Sequence, residues 1–264
     1  MCAQTLILRA SLLQQHLLLL AVLIFSLSWG PVIADDLDPQ SELSGGNRIE
    51  LSQSSEDQIF QSIQQGYGNL IAAIQADSAN GAVITSVADG SQIQINQSGS
   101  ANQTNLQLEG SLHKLDINQT GVSNLLEADI SGNAMQLNIE QAGIDQSLAV
   151  NQSGVQHIAM ITQAGVGNEG ILIQAGDNNF AELSQDGIEN LAAILQNGSG
   201  NRASLIQTGT GNHCDITQNG DFNLAEVLHH GDHNFTSVEQ QGSFLNTVVH
   251  IFGDNQSMQI RQVQ

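Results

Sequence analysis

Polar and apolar positions in this chain alternate with a period of two inside a unit of eleven residues, and the unit repeats without a slip. Glycine marks the frame. From Ser44 to Gly253, sixteen of twenty positions spaced eleven apart are glycine; Ser44, Ser55, Asp77 and Ala88 are the exceptions. With that anchor as position zero, position +7 is Leu, Ile or Val in seventeen of twenty units, for example Ile95, Leu106, Ile117, Val150 and Leu183. Position +5 is mostly small or aliphatic, as in Ile71, Leu126, Ala181, Ala192 and Ala203. A repeat this strict makes each unit stack on the next.

Two amides complete the unit. Position +3 is asparagine twelve times: Asn47, Asn69, Asn80, Asn102, Asn124, Asn168, Asn179, Asn190, Asn201, Asn212, Asn223 and Asn234. Position +9 is glutamine fifteen times. The first eight are Gln53, Gln64, Gln75, Gln97, Gln119, Gln141, Gln152 and Gln163. The remainder are Gln174, Gln185, Gln196, Gln207, Gln218, Gln240 and Gln262. The anchor glycines run Gly66, Gly99, Gly110, Gly121, Gly132, Gly143, Gly154 and Gly165, then Gly176, Gly187, Gly198, Gly209, Gly220, Gly231, Gly242 and Gly253.

A period of eleven also suits a right-handed helical supercoil. One glycine per unit, at about 1 kcal/mol relative to alanine, argues against helix, as does the asparagine. Positions +3, +5, +7 and +9 instead share one face of a strand. The unit reads as a seven-residue strand, first Asn47–Gln53 and last Gln256–Gln262, closed by a four-residue turn where glycine permits positive φ. An antiparallel meander would set unlike positions side by side. A coil of two units per 22-residue rung sets Asn on Asn, Gln on Gln and Ile on Ile, and stacked amides then satisfy one another inside. The expected fold is all-β, a two-sided parallel β-solenoid of about ten rungs over residues 47–264, uncapped at both ends.

Upstream the composition changes. Residues 1–34 carry one formal charge, Arg9, and an apolar run from Leu17 to Leu27 followed by Val32, Ile33 and Ala34, which reads as a secretory signal peptide. Residues 35–46 form a short acidic and polar leader. Beyond residue 34 the chain has 26 acidic and four basic residues, hence a net charge of −22. Nucleic acid is a poor partner for such a chain. Cys214 alone remains after cleavage, so no intrachain disulfide can staple the fold. It sits at +5, where its neighbours are alanines, and reads as a small core residue.

No element at either tip reads as a cap, so both terminal rungs would present unpaired backbone to another copy. An exported array of Q-x-G-x-x-N-x-A-x-I-x-Q units, seen nearly undisturbed in NRASLIQTG from Asn201 to Gly209, resembles the curlin family, the subunits of curli amyloid fibres. The resemblance covers essentially all of residues 47–264. It implies a secreted, extracellular fibre subunit at a bacterial surface, with roles in adhesion and biofilm matrix. Its implied partners are further copies of itself in a head-to-tail polymer, a second curlin-type subunit and an outer-membrane secretion channel. It also implies that the inward Gln and Asn side chains carry fibre elongation. The leader departs from the family in lacking a long Gly-rich segment, which leaves a minor, nucleating subunit as an alternative to a major one.

The remaining chemistry is sparse. His229, His230, Asp232 and His233 could in principle gather a transition metal, but His229 should point inward and the others lie around a turn. His113, His157 and His229 occupy amide positions, where imidazole can substitute. Met135, Leu245, Leu108, Ile130 and Ile251 break the ladders with apolar groups. No nucleophile–base pair or carboxylate dyad stands out, and the turns lack the regular aspartate of calcium-binding nonapeptide repeats. An enzyme, a cofactor and a small-molecule substrate are not expected. A soluble β-solenoid adhesin or ice-binding module is the rival of another class. Ice binding would need a regular outward Thr array, whereas outward Arg202, Ser204 and Ile206 are followed by His213, Asp215 and Thr217, and a monomeric adhesin would need caps.

Overall fold

The computed structural model describes residues 4–9, 23–26 and 44–264. Two short strands, β1 (Gln4–Arg9) and β2 (Leu23–Ser26), precede twenty that run from β3 (Arg48–Ser54) and β4 (Ile59–Gln65) to β21 (Asn246–Phe252) and β22 (Ser257–Val263). Odd-numbered strands form one eleven-stranded sheet and even-numbered strands the other. From β3 onward every pair is parallel and spaced by 22 residues, so Gln119, Gln141 and Gln163 lie side by side, as do Gly121, Gly143 and Gly165. The chain is a two-sided β-solenoid of about ten rungs.

Alternation decides which side faces in. In β11 (Gln136–Ile144), Leu137, Ile139 and Gln141 are buried, while Gln136, Asn138 and Glu140 are exposed. The +5 and +7 side chains of both sheets meet in one continuous core that runs the length of the array, from Ile49 to Val249. Each large aliphatic buried there contributes about 1.5–3 kcal/mol. No rung is closed on its own, so the stack is stable only as a whole.

The strands differ from the expected length in the middle of the array. They span seven residues at both ends, but nine from β6 (Gly81–Asp89) to β17 (Arg202–Thr210), passing straight through the anchor glycine. The sharp change of direction comes two residues later. Ala101, Ser123 and Glu189 sit there at φ of 59°, 59° and 53°. The turn is itself laddered: the Ala101 N–H donates to Ser78 O at 3.1 Å and the Ser123 N–H to Ser100 O at 2.9 Å. A left-handed corner held from below tolerates residues other than glycine, which hides its position in the sequence.

The anchor is less forgiving. Gly143 has φ 129°, and a Cβ there would lie 2.0 Å from the carbonyl oxygen of Gly165 in the next rung. Backbone conformation and close approach both demand glycine.

The N-terminal edge also departs from expectation. β1 pairs antiparallel with β3, placing Gln4 beside Gln53 and Arg9 beside Arg48, and β2 pairs antiparallel with β4. The first rung is therefore covered by segments that the sequence assigns to the signal peptide of residues 1–34. An edge strand offers a row of backbone donors and acceptors that any extended segment can meet. Apart from these two strands, the signal peptide expected over residues 1–34 lies outside the described residues, as does most of the 35–46 segment. At the other end, nothing among the described residues pairs with the outer edge of β21 or β22.

Candidate functional site: amide ladders and an open edge

Each ladder glutamine joins two directions. Gln141 Nε2 donates to Gln163 Oε1 at 2.9 Å and to the backbone oxygen of Leu125 at 3.0 Å. The first bond runs along the stack; the second crosses to the preceding strand of the opposite sheet. In the odd-numbered sheet the chain of amides is unbroken from Gln53 through Gln75, Gln97, Gln119, Gln141, Gln163 and Gln185 to Gln207. In the even-numbered sheet it runs from Gln152 through Gln174, Gln196, Gln218 and Gln240 to Gln262. Buried amides supplied with partners on both sides avoid the desolvation cost of an orphaned polar group.

The gaps do not coincide. Ser86, Leu108 and Ile130 interrupt the even-numbered sheet beside Gln75, Gln97 and Gln119. His229 and Ile251 interrupt the odd-numbered sheet beside Gln240 and Gln262. Every rung after the first therefore keeps at least one cross-sheet tie, such as Gln97 to Gly81 O at 2.9 Å and Gln240 to Leu224 O at 2.9 Å.

Asparagine clamps the corner. Asn168 Nδ2 donates to Ala164 O at 2.8 Å and to the anchor carbonyl of Gly187 at 3.2 Å, while its Oδ1 accepts the Asn190 N–H at 3.0 Å. Sequence reasoning placed these amides inside but saw only amide-on-amide stacking. The fixed three-residue offset of asparagine from glycine was the signal for the turn-binding role. His157 fits the same slot: its Nε2 lies 3.0 Å from Ser153 O, and its Nδ1 accepts the Asn179 N–H at 3.2 Å. Burial lowers the pKa of His113 and of His157. His229 meets the Thr236 hydroxyl at 2.7 Å and is pushed down to about 4, chiefly by burial and further by His213.

All sixteen anchor glycines have positive φ. The histidine cluster is dispersed: His229 is buried, whereas His230 and His233 are exposed. Among the described residues no group of three or more His, Cys, Asp or Glu side chains could hold a metal ion. Cys214 is buried between Ala192 and Thr236, and desolvation holds its thiol pKa well above the usual range. Outward Arg48 pairs with Glu50, and Arg261 with Glu239 at 3.3 Å.

Residues 158–187, 176–209, 187–220 and 209–242 match the curlin associated repeat. Residues 158–242 are thus similar to curlin repeats. No curated protein matches the chain. The curlin-matched stretch has glycine at every anchor and amides at every ladder position but His229. The match is to a repeat, and the fold that this repeat builds here is a β-solenoid.

Proposed function

We propose that this chain is a secreted subunit that polymerises head to tail into extracellular, curli-like amyloid fibres serving adhesion and biofilm matrix. The observation that carries this reading is the last rung. The outer edges of β21 and β22 are unpaired among the described residues, and inward-type side chains there lie open, Met258 at 41 % exposure. An in-register parallel edge is a template for another in-register parallel edge. Residues 4–9 and 23–26 cover the opposite tip, so removal of residues 1–34 as a signal peptide would free the second edge that unlimited growth needs. The apolar run and the net charge of −22 beyond it agree with export of a soluble, self-repelling subunit. A second curlin-type subunit and an outer-membrane channel are the partners this reading requires.

The chain starting at Asp35 should assemble after a lag into thioflavin-positive fibres, with a diffraction spacing of about 4.8 Å along the axis. Its own fragments should abolish the lag. Protein that stays monomeric in the presence of such seeds would overturn the polymer reading. Sub-stoichiometric acceleration of another curlin-type subunit would instead mark it as a nucleator.

A further inference from the structure

We infer that the joint between two copies has one fixed register, with β22 of one copy on β4 of the next and the Gln262 amide donating to Gln64. This rests on the polymer reading above and specifies its contact. Gln64 is 6 % exposed, yet neither of its amide atoms has a partner among the described residues. It stands at the ladder position of the even-numbered sheet, next to Ser86 on its inner side. β2 covers β4 only over Ile59–Ser62 and stops short of Gln64.

Gln262 holds the complementary half. It accepts from Gln240 Nε2 at 2.9 Å and donates to Asn246 O at 2.9 Å. Inner members such as Gln218 donate twice, to Arg202 O and to Gln240 Oε1. One N–H of Gln262 is thus unspent and lies on the open face of the last rung. The 22-residue period sets what must come next. Continuing the coil past β22 puts the following strand over β21 and the one after it over β22. The first two strands of a second copy, β3 and β4, take those places in order. Gln64 then falls on Gln262, and Gln53 falls on Ile251.

Only one sheet passes an amide across this joint. The other meets an aliphatic side chain, so the polar contact that selects register is confined to β22 on β4. A copy shifted by one residue along the strand would set every inward side chain outward. A copy shifted by two would leave both Gln64 and Gln262 buried without partners, which a neutral amide resists.

The test uses outward positions flanking the pair. In chains starting at Asp35, whose strand-to-strand bonds lie within residues 47–264, Ile63→Cys and Arg261→Cys chains are mixed, assembled and oxidised. In the inferred register the two Cα atoms lie about 4.8 Å apart, within disulfide reach. Ile63→Cys with Gln259→Cys, offset by two residues at about 8 Å, is the control. Covalent dimers from the first mixture and none from the second are expected. Fibres that link only in the control, or in neither, overturn the register while leaving polymerisation intact. Absence of fibres from unsubstituted protein would instead sink the polymer reading. Cysteine-free support comes from Gln262→Leu, which should slow seeded elongation about fivefold, as loss of one neutral hydrogen bond would. Ile251→Leu in the other sheet should leave the rate unchanged, and equal rates for the two variants also overturn the inference.

Discussion

The rungs of residues 47–133 and those of residues 158–242 share one fold but solve the interior differently. In the later stretch every anchor is glycine and both sheets carry amide ladders, with His229 the lone substitution at the glutamine position. In the earlier one, Ser55, Asp77 and Ala88 stand at anchors, and Ser86, Leu108 and Ile130 replace glutamine in one sheet. The contrast lies in where polar atoms lose their partners. The unpaired buried atoms include both amide atoms of Gln64, the Ser86 hydroxyl, Gln152 Oε1 and His229 Nδ1. Gln64 is the first member of its row, beside Ser86; each of the others belongs to a residue at the boundary where a polar row turns apolar. Leu108 and Ile130, stacked on one another, leave nothing unsatisfied. A row can be wet or dry; the cost arises at the seam.

The largest effects should come from the anchors. Gly187→Val places a branched side chain at φ 133° and drives its Cβ to within 2.0 Å of the Gly209 carbonyl. We expect a loss of about 4 kcal/mol or more, read as collapse of the urea midpoint of the monomer. The opposite change in the early rungs should help. Ser55 is held at φ 136°, so Ser55→Gly should add roughly 1 kcal/mol. If valine is tolerated at Gly187, the close approach between rungs is wrong.

The seam argument makes a finer distinction between two chemically identical changes. Gln174→Leu cuts the ladder in its middle, leaving Gln152 Nε2 and Gln196 Oε1 without their partners, and should cost about 2–4 kcal/mol. Gln152→Leu only moves the boundary one rung, because Gln152 Oε1 already faces the dry row; about 1 kcal/mol is expected. Equal destabilisation in denaturant titrations would show that cooperative stacking, rather than boundary position, sets the energy.

Acid should act on the later stretch through His229. Its folded pKa of about 4 lies below the unfolded value near 6.5. The folded state thus binds fewer protons there, and the array loses stability as pH falls from about 6.5 towards 4. His229→Gln should flatten that slope and let Gln207 donate onward. The measurement is the difference between parent and variant at each pH, which cancels contributions common to both. An unchanged difference would mean that the imidazole is not kept neutral by burial.

Much of this was legible because one side chain in every two had to be apolar or amide, and glycine kept the count. Inside and outside, parallel register and rung number all follow from Asn201–Gly209 repeated. The nine-residue strands were not legible, since Ala101, Ser123 and Glu189 adopt the left-handed corner on the strength of a hydrogen bond from the rung below. Neither was the cross-sheet bond of each glutamine, which depends on the distance between sheets. The cover over β3 and β4 was missed because sequence assigned those segments to export alone.

Smallest of all should be changes on the outer face, and they test whether the interior carries the energy. Arg202 lies outside, its guanidinium 4.2 Å from the ring centre of Phe180 one rung below. An exposed contact of this kind contributes about 0.5–1 kcal/mol. Arg202→Ala should therefore shift the urea midpoint slightly and leave elongation close to the parent rate. Gln207→Ala combined with Asn212→Ala, two positions that sever inner bonds to Leu191 O and Gly231 O, should do far more. Comparable effects from the outer and inner substitutions would mean that the face assigned to the core is not where stacking is decided.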